Sequence, residues 1–115
     1  QLTVASISIT PTTTTSIILL NFGIQVGVSN SQADTNYSIR INDGTNNIAE
    51  WRNNTNNASG YNYMLGSTFS GVDVPGVTSQ VTYNFQITKN TGASGAIVAN
   101  GYARTQDFWA MEVLP

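Results

Sequence analysis

Val81-Thr82-Tyr83-Asn84-Phe85-Gln86-Ile87-Thr88 alternates apolar and polar residues without a break. A period of two places Val81, Tyr83, Phe85 and Ile87 on one face of a β-strand. Val74-Pro75-Gly76 comes just before it and reads as a turn, because proline fixes φ and glycine permits positive φ. Asn90 to Gly95 follows it and reads as a hairpin loop. Ile97 and Ala99 then lead to Asn100-Gly101, and Asp107 to Leu114 reads as the closing strand.

The same alternation runs upstream. Leu2 and Val4 share one parity, while Ile7 and Ile9 share the other. The shift near Ala5-Ser6 predicts a bulge or a change of buried face. Pro11 and the four threonines that follow end this strand. Ser16 to Val28 is the longest strand in the sequence, with Ile18, Leu20, Phe22, Ile24, Val26 and Val28 on one face. Ile17 and Leu19 add apolar bulk on the other face near its start. A strand apolar on both sides is either central in a sandwich or buried against another subunit.

Ser29 to Asn36 is a polar connection. Tyr37, Ile39 and Ile41 alternate up to Asn42-Asp43-Gly44-Thr45, a hairpin signal of the type I′ kind. The return strand carries Ile48 and Trp51. Asn53 to Gly60 reads as a low-complexity loop, after which Tyr61, Tyr63 and Leu65 alternate again and Phe69 follows. About eight or nine strands at a spacing of roughly ten residues, with no helical period, predict an all-β antiparallel sandwich or barrel. Residues 1–115 form one domain, long enough to bury a core.

Composition narrows the function. Only 9% of residues are charged, against about 25% in an average soluble domain, so the polar surface must come from Asn, Thr, Ser and Gln. The four cations Arg40, Arg52, Lys89 and Arg104 are scattered and the net charge is −2, which argues against nucleic-acid binding. Ile17 to Val28 is interrupted by Asn21 and Gln25 and is too short and polar to span a bilayer, and no basic amphipathic helix is present to bind one. The sequence opens at Gln1 directly in a strand-like pattern, without an initiator Met or a signal peptide. That predicts the C-terminal part or a processed product of a longer chain.

The sequence contains no histidine and no cysteine. The usual zinc and copper ligand sets, thiol nucleophiles and histidine bases are therefore missing, and no cofactor is expected. The carboxylates are Asp34, Asp43, Glu50, Asp73, Asp107 and Glu112. A glycosidase needs two of them across a cleft, one with a raised pKa. Asp34, Asp43 and Asp73 sit in predicted turns, while Glu50 and Glu112 lie in strands facing away from their apolar neighbours. Asn42, Asp43, Thr45, Asn46 and Asn47 offer oxygens, but their spacing misses the calcium loop. The reading is a binding or assembly module without catalysis or metal.

Two surfaces stand out. Trp51-Arg52-Asn53-Asn54 runs into the Asn-rich loop, and Tyr61 and Tyr63 leave it. Ring faces and amides clustered at one end suit a glycan. The same aromatics more often belong to a core or a subunit interface. The second surface is an oligomer interface made of Ile17, Leu19, Tyr102, Phe108 and Trp109. Phe108 and Trp109 lie on opposite faces of the closing strand, so one belongs in the core and the other near an axis. Tyr102 and Arg104 could meet there by cation–π stacking.

Val74-Pro75-Gly76, Tyr83-Asn84-Phe85 and the closing strand Asp107 to Leu114 resemble the trimeric jelly-roll domains of the tumour-necrosis-factor and complement-globular-head type. Across residues 16–115 the chain also resembles short C-terminal domains of tailed-phage virion proteins, such as fibre knobs and capsid-surface fibres. That second likeness rests on Thr15 to Phe22, Ile39-Arg40-Ile41, Val81-Thr82-Tyr83 and Met111-Glu112-Val113. These motifs are short. The resemblance implies a jelly-roll homotrimer on a virion surface, in contact with itself, with other virion proteins and with host glycan. A free-standing lectin-like adhesin is the alternative.

Overall fold

The structure is a computed structural model. It describes residues 2–29, 34–56, 63–89, 96–99 and 107–115, and the side chains of 3–24, 37–52, 68–88 and 107–115. The described strands are β1 (Leu2–Ile9), β2 (Ile17–Ser29), β3 (Asp34–Asn42), β4 (Asn47–Asn56), β5 (Tyr63–Asp73), β6 (Val81–Lys89), β7 (Ala96–Ala99) and β8 (Asp107–Val113). They form two antiparallel sheets. The first has the order β1-β6-β3-β4, and in the second β5 flanks β2 on one side while β7 and β8 pair with it on the other.

The strands of β1–β2, β2–β3, β4–β5, β5–β6 and β6–β7 alternate between the two sheets, which is the arrangement of a β-sandwich. β7 and β8 share a row in tandem, pairing with Val26–Ser29 and Ile17–Gly23 of β2. β6 pairs with β1 and β3 while β7 pairs with β2, so the two strands lie in different sheets, and the stretch 90–95 read as a hairpin loop lies outside the described residues. Asn53 to Asn56, read as loop, extend β4 and pair with Asp34–Tyr37. Their polarity hid a strand whose backbone bonds need no apolar side chain.

The predicted periodicities fix which residues go inside. Ile18, Leu20, Phe22 and Ile24 from β2 meet Tyr37, Ile39, Ile41, Tyr83, Phe85 and Ile87 from β3 and β6, and all are buried. Phe69, Phe22 and Phe108 stand opposite one another across β5, β2 and β8. Phe85 from the facing sheet stacks on Phe22 at 3.8 Å and 12°, and Phe108 meets Phe22 edge-on at 4.7 Å. Such ring pairs add about 0.5–1.5 kcal/mol each beyond the area they bury.

Local irregularities keep the apolar residues inward. The pairing of β1 with β6 shifts between Thr3 and Ala5, making Val4 the extra residue of a bulge one position before the predicted site. The β3–β4 hairpin turns through the four residues 43–46 rather than a two-residue loop, with Gly44 at φ +92°. Asp43 Oδ1 accepts the N–H groups of Thr45 and Asn46 at 2.8 and 2.6 Å, which closes the turn locally. Ile48 is the extra residue at the second register shift, and both it and Ala49 approach Gly71 of β5. A Cβ on Gly71 would sit 3.5 Å from Ala49 and 3.6 Å from Ile48, ordinary contact distances that place β4 close against β5 there.

Candidate functional site

Residues that alternate with the core form the two outer faces of the sandwich, and these faces differ. On the first sheet, Ser6 donates to Asn84 Oδ1 at 2.7 Å, Ser8 bonds Thr82 at 2.8 Å, and Gln86 donates to Thr3 at 3.3 Å. Asn42 donates to Gln86 and accepts from Asn84 at 3.4 Å. Arg40 Nε lies 3.1 Å and Arg52 Nε 3.4 Å from Glu50 Oε1. The Arg40 hydrogen bond holds the Glu50 carboxyl below its ordinary value, with charge attraction to both arginines adding to it. These bonds join neighbouring strands into a polar lattice.

The outer face of the second sheet is apolar over the rows at the start of β2. Val72, Leu19 and Met111 stand in one row across β5, β2 and β8, and Ile17 stands opposite Val113 in the next. Trp109 lies opposite Asn21, one step along. Met111 is 48% exposed, Trp109 40% and Val72 62%. Val74, Val77 and Leu114 extend apolar exposure beyond the sheet.

The residues assigned to an interface from sequence divide accordingly. Ile17, Leu19 and Trp109 lie on the apolar outer face. Phe108 instead faces inward, because alternation along β8 sends Phe108, Ala110 and Glu112 to the sandwich side. Tyr102 and Arg104 lie outside the described residues.

Of the six residues read as a glycan cluster, only the side chains of Trp51 and Arg52 are described, and they take opposite faces of β4. Trp51 pairs with buried Ile39 and so turns inward, where it meets Phe69 edge-on at 4.9 Å. Arg52, next along, points out beside Glu50. Asn53 and Asn54 belong to β4 and Tyr63 opens β5, but their side chains and all of Tyr61 lie outside the described residues.

Four carboxylates have local roles. Asp43 closes its turn, and the Asn46 N–H is the main reason its carboxyl is held below the ordinary value. Glu50 sits in the polar lattice. Asp73 accepts the Tyr83 hydroxyl at 2.7 Å and so ties β5 to β6 across the sandwich. Burial first, and then this hydrogen bond, push the Tyr83 hydroxyl far up.

Glu112 leaves the inner face of β8 to accept the Thr12 N–H at 2.6 Å and its hydroxyl at 3.1 Å. The Thr12 N–H is the main cause that holds the Glu112 carboxyl down. Among the described residues no three of His, Cys, Asp and Glu gather where they could hold a metal ion. No protein-family model, no curated protein and no solved structure matches the chain.

Proposed function

We propose that this chain is a non-catalytic structural module of a virion surface, a fibre tip or capsid-surface domain exposed outside the cell, that works as a homotrimer. The observation that supports the reading is the contrast between the two outer faces. A hydrogen-bonded lattice of short polar side chains is satisfied in water. A three-strand face carrying Leu19, Val72, Met111 and Trp109 is better satisfied against protein. Closed cyclic symmetry gives such a face a partner and stops growth at a fixed size. The virion setting rests on the resemblance of residues 16–115 to phage fibre domains.

Size-exclusion chromatography with light scattering tests the proposal. The expected mass is about three times the 12.3 kDa of one chain. A single-chain mass at micromolar concentration overturns it. For the lectin-like alternative, the edge-on packing of Trp51 on Phe69 counts against that ring as a platform for sugar. Specific signal on a glycan array from a single-chain species would favour that alternative.

A further inference from the structure

We infer that the outer face of the second sheet, centred on the row Val72–Leu19–Met111, packs against the same face of identical copies about the assembly axis. This rests on the assembly reading above and adds the surface and the identity of its occupant.

Three observations favour a second copy over a foreign protein. The first is charge. Among the described outward-facing positions of β2, β5 and β8, Asp107 alone is charged, and it sits at the far end opposite Gly23. Selection of a foreign partner generally draws on complementary charge, and none is offered here. A neutral apolar surface is complementary to itself and meets no like-charge repulsion when copies come together.

The second is extent. Ile17, Val72, Trp109, Met111 and Val113 are each exposed by 37% or more and adjoin one another on three neighbouring strands, so the apolar exposure is one contiguous patch rather than scattered single residues. Asn21, Ser70 and Thr68 continue the same face and supply a polar rim.

The third is continuity with an open edge. β8 reads Asp-Phe-Trp-Ala-Met-Glu-Val and, among the described strands, pairs with β2 alone. It contains no lysine, proline or register shift, and of the devices by which sheet edges avoid unwanted pairing it carries charge alone, in Asp107 at one end and in inward-facing Glu112, which Thr12 engages. An edge left this way beside an apolar face is protected when neighbouring copies close over both.

The absence of cysteine makes the test clean. Leu19→Cys and Met111→Cys place single thiols on the proposed contact, and Ser8→Cys and Thr82→Cys place them on the polar lattice. All four are treated with a short bis-maleimide at micromolar concentration and resolved on a denaturing gel. The expected result is covalent pairs from the first two and none from the last two. A second readout avoids new thiols. With Trp51→Phe, the fluorescence of Trp109 should become protected from acrylamide as concentration rises through the assembly range.

Assembly by light scattering, with trapping from Ser8→Cys or Thr82→Cys or from no variant, and with Trp109 still quenched, overturns this surface and leaves the assembly reading standing. A single-chain mass with no trapping overturns both. Trapping at Leu19 and Met111 in a species of two chains supports this surface and overturns the trimer alone.

Discussion

The two outer faces of the sandwich are built on the same inward pattern and differ only in what alternates with it. Tyr83, Phe85 and Ile87 alternate with Thr82, Asn84 and Gln86, and the polar set is bonded to β1 or β3. Ile18, Leu20 and Phe22 alternate with Ile17, Leu19 and Asn21, and the first two of these face apolar neighbours on β5 and β8. A period of two settles which residues enter the core. The outward residues then separate a face that is complete in water from one that is complete only when covered.

The largest expected effect lies beneath both faces. Phe85 is fully buried and stacks on Phe22, joining the sheet under the polar lattice to the sheet under the apolar face. Phe85→Ala should cost about 3–5 kcal/mol and lower the urea midpoint accordingly. Measurement at one fixed protein concentration keeps assembly from shifting the result. A loss below about 1 kcal/mol would mean that the two faces are not carried on a common core.

The next effect separates the faces. Met111→Glu puts a charge in the proposed contact and should reduce the light-scattering mass to one chain, a rise in dissociation constant of at least about a hundredfold or ~3 kcal/mol. Thr82→Glu places the same charge on the lattice, and the mass should be unchanged. Equal responses from the two variants would remove the contrast.

Much of this was legible in the sequence, and the losses have definite causes. The inward sets of β2, β3 and β6 follow from alternation alone, and so did the bulge in β1 to within a residue. Pairing did not follow, because alternation gives the face a residue occupies but not the strand it pairs with. β6 and β7 follow one another in the sequence yet lie in different sheets. Whether Trp51 faced the core or a ligand stayed open in the sequence because its direction depends on register with Ile39, which the four-residue turn and the extra residue Ile48 set. The apolar face was half visible in Ile17 and Leu19. Val72 and Met111 escaped notice because only strand order brings them to Leu19.

A smaller effect is found where β8 leaves the core. The Glu112 carboxylate accepts the Thr12 N–H, and its folded pKa lies below the ordinary value of 4.5. Its contribution is therefore complete above pH 4.5 and is lost as pH falls through the lower folded value. Glu112→Gln should flatten that part of the stability–pH curve while leaving the neutral assembly mass unchanged. An unaltered acid limb would transfer the dependence to Asp43 or Glu50, which are also held down.

The smallest effect tests whether the lattice stabilises through its bonds or merely through being polar. Thr88 lies on β6 opposite Ser38, and its hydroxyl is buried without a hydrogen-bond partner among the described residues. Thr82, on the same face of the same strand, bonds Ser8 at 2.8 Å in an exposed setting. Valine has nearly the shape of threonine and keeps the β-branch that suits a strand. Thr88→Val removes a desolvated group that receives nothing in return, so stability should hold or rise by up to about 1 kcal/mol. Thr82→Val removes a made bond and should cost about 0.5 kcal/mol. Chemical denaturation of the two variants side by side reads the difference in sign. If both substitutions stabilise, the hydrogen bonds are incidental and the polar face differs from the apolar one only in solubility. Opposite signs mean that the lattice is a bonded structure, complete without a covering partner.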